Sequence, residues 1–126
     1  MTRILKPTKR DPGDHLPLLA RDFYILFFLA QRERHGYGLV KDITSHSNGA
    51  VRLDPANLYR GINKLSASGL VEDGPRRSDS AGGRERRYYR ITQLGRDVVS
   101  AEAARLRNLA KAAEAANLIA ERDNLS

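Results

Sequence analysis

The sequence predicts a mainly α-helical domain with one small β-hairpin and a long C-terminal helix. Three helix-like segments precede residue 70, two strand-like segments flank a turn with Gly and Ser, and an Ala- and Leu-rich segment follows. At 126 residues the chain corresponds to one domain, or to one domain with an appended element. This length allows a modest hydrophobic core but not a large enclosed catalytic cavity.

The composition favours a polyanionic partner. The formal net charge is +7 and the pI is about 10.1, which suits nucleic acid or an anionic membrane surface. All of the excess lies in residues 1–92, with 17 Lys and Arg against 10 Asp and Glu, whereas residues 93–126 carry five of each. No cysteine is present, which excludes disulfides, thiolate metal sites and cysteine nucleophiles.

No membrane-spanning or exported segment is expected. The longest apolar run, residues 23–30, is too short to cross a bilayer. The N-terminus lacks a long apolar stretch followed by a small-residue cleavage site. We therefore expect a cytoplasmic protein without a membrane partner.

The first part of the chain is predicted to hold an arm and a central helix. Residues 1–15 mix prolines, a glycine and charges without periodicity, which is typical of a flexible basic arm. Contact of this arm with phosphates is left open. A first helix is expected from Pro17 or Leu18 to about Arg32, since the segment is apolar almost all round. Gly36 is expected to supply its left-handed exit.

A second helix is expected at residues 37–47, with its apolar side chains on one side. The Ser-Asn-Gly sequence at 47–49 predicts a turn. Residues 51–53 are expected to form a short strand after it.

The third helix has the clearest start in the sequence. Asp54 is a good N-cap, because its carboxylate can accept a free backbone N–H and oppose the helix dipole. Pro55 suits the first helical position, and Gly69 is expected to end the helix. At about 100° per residue, four polar side chains project away from a stripe of three apolar ones. The polar set is Asn57, Arg60, Asn63 and Lys64, and the apolar set is Leu58, Ile62 and Leu65.

Two strands around an arginine-rich turn are expected next, at residues 70–73 and 87–91. Residues 76–90 contain six arginines and two acidic residues. Such a cluster on a projecting loop suits contact with phosphates or a minor groove. Arg84 and Arg86 are the candidates for this contact.

Neighbouring side chains of the second strand are expected on opposite faces. One of Tyr88 and Tyr89 should therefore pack inward, and Arg87 should lie on the face opposite Arg86. A polar helix followed at once by a basic hairpin is the layout of a winged helix-turn-helix. Residues 16–92 are accordingly predicted to be a domain that binds double-stranded DNA.

The polar face of the third helix has the residue types that read DNA. Arg can bind guanine and Asn adenine through paired hydrogen bonds, and Lys binds guanine or phosphate. The main candidates are Arg60, Asn63 and Lys64, with Asn57 as a phosphate or base contact. Tyr59 and Tyr37 are further candidates, for which packing between helices is an open alternative. The alternative to DNA contact is a solvated face for the third helix and a soluble surface hairpin for the two strands.

A long last helix is expected from Gln93 to about Arg122, with Thr92 as its cap. About thirty residues make roughly 45 Å of helix, too long for so small a body to cover. Residues 93–126 are therefore predicted to be a dimerisation helix, with packing on the protein's own first helix as an alternative for its proximal half. The apolar seam for a homodimer is Leu106, Leu109, Ala113, Ala116 and Ala120.

Three segments together resemble the PadR-type transcriptional regulators, and the resemblance covers roughly residues 18–98. HGYGLVKDI at 35–43 is similar to the start of that family's second helix. LDPANLYRGINKLSASGLVE at 53–72 is similar to its recognition helix and the step after it. RRYYRITQLGR at 86–96 is similar to its Tyr-Tyr-Arg strand and the Thr and Gly-Arg pair that follow.

The resemblance implies a homodimer in which each subunit offers a recognition helix and a wing to half of an inverted-repeat operator. It also implies repression, often released by a small aromatic or phenolic effector, and the smaller subclass with a single C-terminal helix. Two departures stand out. Gly61 replaces the more usual Ala and should cost about 1 kcal/mol of helix stability. Residues 94–126 contain no aromatic side chain, so stacking of a flat effector there is not expected.

No cofactor, metal site or enzymatic activity is expected. His15, His35 and His46 lack metal-ligand spacing, and His35 is expected to form hydrogen bonds at a helix boundary. The Gly-Tyr-Gly triplet at 36–38 lacks the strand-turn-helix context of a dinucleotide loop, and no Ser or Thr has a recognisable base. Two other functions stay open: an architectural DNA-binding protein with little base readout, and a winged-helix adaptor that binds proteins.

Overall fold

The computed structural model describes residues 10–78 and 85–120, which contain four α-helices and a three-stranded antiparallel sheet of order β1-β3-β2. The helices are α1 (Ala20–Leu29), α2 (Gly36–His46), α3 (Pro55–Ala67) and α4 (Gln93–Ala115). The strands are β1 (Arg34–His35), β2 (Val71–Ser78) and β3 (Glu85–Ile91). The predicted fold class, mainly helical with a small hairpin and a long last helix, is confirmed.

α1 is the central helix of the fold. It packs against α2, α3, α4 and β3. Ile25, Leu26 and Leu29 on α1 are fully buried, together with Leu58 and Ile62 of α3. The helix that is apolar almost all round therefore lies in the middle of the hydrophobic core, as its sequence predicts.

α1 begins later than its sequence predicts. The start expected at Pro17 or Leu18 is wrong, because the helix begins at Ala20. The Leu18 N–H is instead donated to the carboxylate of Glu102 in α4, at 3.1 Å. This contact ties the segment before α1 to α4.

β1 lies in the connection that the sequence analysis left between the first and second helices. α1 ends at Leu29 and not at Arg32, and the two residues of β1 pair with Tyr89 and Tyr88 of β3. Gly36 is the buried first residue of α2, so the expectation of a left-handed exit there is wrong. A two-residue strand has no periodicity of its own, and for this reason the sequence analysis did not predict β1.

The segment predicted to be a flexible arm is ordered at its C-terminal end. Pro12–His15 forms a short 3-10 helix, and the Asp11 carboxylate accepts a hydrogen bond from the Gly13 N–H at 3.0 Å. This turn packs against α4. Residues 1–9 lie outside the described residues.

α2 ends in the predicted Ser-Asn-Gly turn, where Asn48 and Gly49 have positive φ angles of 55° and 81°. The strand expected at residues 51–53 does not form. Instead, the Val51 N–H is donated to the Ser47 hydroxyl at 3.0 Å. This bond holds the segment against the end of α2 and leaves it unpaired with the sheet.

α3 has the start, the stripe and the end that its sequence predicts. The Asp54 carboxylate accepts the Asn57 N–H at 2.7 Å, and Pro55 is the first helical residue. Gly69, with φ of 81°, follows the C-cap. The three apolar side chains of the stripe are buried: Leu58, Ile62 and Leu65.

β2 and β3 form the hairpin, and both extend beyond the predicted 70–73 and 87–91. They pair antiparallel with one irregularity in the register. Tyr89 is buried, whereas Tyr88 is partly exposed and packs edge to face against His35, with 5.3 Å between ring centroids. The predicted alternation of the two tyrosines is confirmed.

α4 begins at Gln93, with Thr92 as its cap. The Thr92 hydroxyl accepts the Gly95 N–H at 3.0 Å and donates to the Gly69 carbonyl at 2.7 Å. A Cβ at Gly95 would lie 2.2 Å from the Leu70 carbonyl oxygen. Glycine therefore allows α4 to start directly against Leu70, which lies between α3 and β2.

α4 ends at Ala115, and the prediction that it continues to Arg122 is wrong. Asn117 has a left-handed φ of 64°, which turns the chain out of the helix. Ala116 is the C-cap and Ala120 lies beyond the helix. The 23 helical residues make a helix of about 35 Å.

Candidate nucleic-acid interface

Four residues of α3 form what we call the outward face. At about 100° per residue, Ala56, Arg60, Asn63 and Ala67 lie opposite the buried stripe, and all four are exposed. Within residues 10–78 and 85–120, neither Arg60 nor Asn63 forms a hydrogen bond or an ion pair. The two alanines, which sequence reasoning did not single out, leave the helix surface open to a close partner.

The other two polar residues of the predicted set turn toward α1. The amide oxygen of Asn57 accepts a hydrogen bond from Arg21 at 3.1 Å. The amino group of Lys64 lies 2.8 Å from the carboxylate of Asp22, although the Lys64 side chain is 54% exposed. The structure thus divides the four predicted residues into two outward donors and two that bind α1.

Tyr59 packs against the neighbouring elements. A Cβ at Gly36 would lie 2.1 Å from the Tyr59 hydroxyl, so the ring occupies the space that a side chain would need. The Tyr59 and Tyr89 ring centroids are 6.5 Å apart. Of the two alternatives for Tyr59, the structure favours packing between elements over phosphate contact.

The start of α2 carries an exposed aromatic and cationic pair. Tyr37 is 62% exposed, and the Lys41 amino group lies 5.7 Å from its ring centroid. The His35 Nδ1 atom accepts the Gly38 N–H at 3.1 Å, which confirms the predicted role of His35 at a helix boundary. Sequence reasoning missed Lys41, although its i,i+4 spacing from Tyr37 was a usable signal.

The hairpin places its arginines on two faces. Arg84 lies outside the described residues, and Arg86 is half-buried on the side of Tyr88. Arg87 is on the side of Tyr89, with its guanidinium 5.3 Å from that ring centroid. Because Tyr89 contacts Tyr59 of α3, Arg87 lies on the side of the hairpin that faces α3.

Ion pairs tie the hairpin cations to the strands. Arg87 binds Asp73 at 2.9 Å, and this hydrogen bond raises the pKa of Arg87. Arg90 binds Glu72 at 2.9 Å. Burial raises the pKa of Tyr89. Because Asp73 and Glu72 offset the charges of Arg87 and Arg90, the net charge of the hairpin is smaller than its arginine count indicates.

Only part of the predicted seam lies on α4. Leu106 and Leu109 are exposed on the helix, at 39% and 58%, and Ala113 is half-buried. Ala116 and Ala120 follow the last helical residue. Two apolar side chains that sequence reasoning missed, Leu118 and Ile119, are exposed just beyond the helix.

Two kinds of site are absent among the described residues. No group of three or more His, Asp or Glu side chains is placed to hold a metal ion. Nor does the part of the chain that the structure describes contain a helix long and apolar enough to cross a membrane.

The arrangement of the helices and the hairpin identifies the fold class of this protein. A central helix, a two-helix unit that ends in a polar helix, and a basic hairpin joined to a short third strand make up a winged helix-turn-helix. This class of fold places its second helix in the major groove of DNA. The exposed Arg60 and Asn63 lie on that helix.

The model of the PadR-like family of transcriptional regulators matches residues 25–101. This match spans more than half of the chain, and the chain therefore belongs to that family. It is a transcriptional regulator with a DNA-binding fold, as the resemblance implied, and the members of this family are not enzymes.

Relatives and solved structures that are similar to this chain are also transcriptional regulators. The transcriptional regulator Rv3488 of Mycobacterium tuberculosis is 34% identical over 88 residues, which are 70% of this chain and 77% of that protein. A PadR-like regulator of Bacillus cereus, BC4206, has a similar fold, with a TM-score of 0.66 at 22% identity over 80% of this chain and 92% of its own. Bacillus subtilis PadR, solved with operator DNA, has a TM-score of 0.57 at 18% identity over 67% and 46%.

Proposed function

We propose that this protein binds a specific inverted-repeat DNA sequence as a homodimer and represses transcription from it. The outward face of α3 carries this proposal. Arg60 and Asn63 are the residue types that bind guanine and adenine through paired hydrogen bonds, and both are exposed and uncommitted in the described structure. Ala56 and Ala67 beside them suit apolar contact with thymine methyl groups.

Residues around the outward face are assigned to phosphate contacts. Tyr37 and Lys41 are exposed at the start of α2, and Arg87 lies on the α3 side of the hairpin. Arg84 and Arg86 stay predictions for the wing. Such contacts fix the position of the protein on the duplex but carry no sequence information.

Exposed apolar side chains on α4 support the homodimer. Leu106 and Leu109 on the helix, and Leu118 and Ile119 just beyond it, offer an apolar surface to a second subunit. A two-fold dimer of this class binds half-sites that lie about one helical turn, roughly 34–36 Å, apart. The operator should therefore be an inverted repeat with that spacing.

Release of the operator by a small aromatic molecule is the last part of the proposal. Since residues 94–126 have no aromatic side chain, the stacking surface is assigned to α1 and the end of α2. There the Tyr24 and Phe27 ring centroids lie 5.8 and 5.5 Å from that of His46. Titration of phenolic compounds into the DNA complex tests this part. If the affinity for the operator stays constant at saturating phenolic compound, the proposed release is wrong.

Selection of bound duplexes from a random pool tests the function. The proposal predicts enrichment of an inverted repeat with half-sites about one turn apart. Binding without an enriched motif favours the architectural alternative. Negligible binding even at low salt favours a protein-interaction adaptor and rejects DNA binding.

A further inference from the structure

Two charged side chains are buried in the described structure, and both hold the first part of α1. Asp22 is 1% exposed and Glu102 is 2% exposed. Glu102 holds the Leu18 N–H just before α1, whereas Asp22 lies in the first turn of α1 and faces α3. A buried carboxylate is costly unless it is paired and hydrogen-bonded. Asp22 is therefore a position where the fold depends on particular partners.

Asp22 and its neighbour hold α3 at two points. One Asp22 oxygen accepts from Arg21 Nε at 2.9 Å, and the other accepts from Lys64 Nζ at 2.8 Å. Arg21 also donates to the Asn57 amide oxygen at 3.1 Å. Asn57 and Lys64 lie about two turns, or roughly 10 Å, apart along α3. Two attachments at that separation fix both the tilt and the rotation of the helix.

Gly61 lies between the two attachments and makes room for them. A Cβ at this position would be 2.7 Å from Arg21 Nε and 3.0 Å from Ile25 Cδ1. Glycine thus allows the Arg21 side chain to cross α3 on its way to Asn57. Gly61, which departs from the family's more usual Ala, therefore has a structural role in this contact.

We propose that Arg21 and Asp22 are positioning residues that orient α3 on DNA, and that Lys64 is a structural partner of Asp22. The outward face points to the bases only while α3 is held at both points, and the Lys64 charge is used within the protein. This inference rests on the proposed DNA binding. It replaces the expectation that Asn57 and Lys64 read DNA directly.

Base readout and phosphate contact respond differently to a loss of orientation. Base contacts require the side chains at defined positions in the groove, whereas phosphate contacts are spread along the backbone. Release of α3 should therefore lower operator affinity and leave affinity for random DNA in place. Loss of folded protein alone would lower both affinities by the same factor.

The test compares Lys64→Gln and Asp22→Asn with the wild-type protein, by fluorescence anisotropy on the selected operator and on a random duplex. Lys64→Gln should lower operator affinity roughly 10-fold or more, the size of one lost base contact. Its random-DNA affinity and salt dependence should be unchanged. Asp22→Asn should also lower the ratio of operator to random-DNA affinity. Its affinity for random DNA should stay the same or rise, because a negative charge is lost. Lys111→Gln, an exposed lysine on α4, is the matched control and should change neither affinity.

Two results with the variants overturn the inference. If Lys64→Gln lowers both affinities equally and reduces the salt slope by about 0.9, Lys64 contacts a phosphate. If both variants keep the wild-type preference, the two attachments do not orient α3. If Asp22→Asn does not fold in a thermal melt, Lys64→Gln decides alone. A wild-type protein that prefers no sequence overturns the proposed function itself, and the inference with it.

Discussion

Replacing Gly61 by Ala is expected to destabilise this protein, although the same substitution stabilises most helices. Alanine is favoured over glycine in a helix interior by about 1 kcal/mol. At position 61, however, the added Cβ would lie 2.7 Å from Arg21 Nε and 3.0 Å from Ile25 Cδ1. Arg21 cannot move away without weakening its hydrogen bonds to Asp22 and Asn57.

The expected magnitude follows from these opposing contributions. An added methyl group in a closely packed contact costs about 1–3 kcal/mol. Hydrogen bonds to charged groups contribute about 1.5–3 kcal/mol each, and a displaced Arg21 loses part of two of them. Set against the helix-propensity gain, the free energy of unfolding should fall by about 1–3 kcal/mol.

Urea denaturation of the two glycine variants measures this difference. Gly38→Ala in α2 is the matched control, because a Cβ there would lie 3.4 Å from His35 Cε1, an ordinary contact. The control should gain a few tenths to about 1 kcal/mol. If the free energy of unfolding rises as much in Gly61→Ala as in Gly38→Ala, Arg21 and Ile25 of α1 do not pack tightly against Gly61.

Three further predictions concern the wing, the dimer and a buried acid. Arg87→Ala should weaken operator and random DNA by similar factors and lower the salt slope by about one; an unchanged slope counts against a wing contact. Leu109→Lys should convert the dimer to monomer in sedimentation equilibrium, because it places a charge in the apolar seam; a persistent dimer rejects the seam. Glu102→Gln should lower the free energy of unfolding at pH 7 by about 1–3 kcal/mol, since Glu102 is buried and hydrogen-bonded. The hydrogen bonds from Arg105 lower the pKa of Glu102, so its contribution is complete above the unfolded pKa and is lost as the pH falls through the folded pKa. The difference from wild type should therefore shrink below about pH 4, and a difference that stays constant down to pH 3 refutes this origin.

The elements that the sequence predicts well are those with local causes. The caps at Asp54 and Thr92 depend on backbone N–H groups three residues away, so the starts of α3 and α4 could be read directly. The stripe of α3 follows from helical spacing alone. The end of α4 at Asn117 also had a local signal, since asparagine often adopts the left-handed conformation that ends a helix.

The elements that sequence reasoning missed depend on distant partners. Glu102 of α4 holds the segment just before α1, and β1 exists because β3 pairs with it. The polar face of α3 was predictable from spacing, but its division was not. The hydrogen bonds of Arg21 and Asp22 on α1 turn Asn57 and Lys64 toward that helix.

Arg60→Ala measures whether the outward face of α3 reads DNA sequence, through the ratio of operator to random-DNA affinity. Arg107→Ala removes the same charge from an exposed position on α4 and serves as the control. Arg60→Ala should lose about 1–3 kcal/mol on the operator and much less on random DNA, with relaxed preference at one base pair. The control should keep the wild-type ratio. An equal loss on both duplexes for Arg60→Ala would show that the outward face of α3 does not read base sequence.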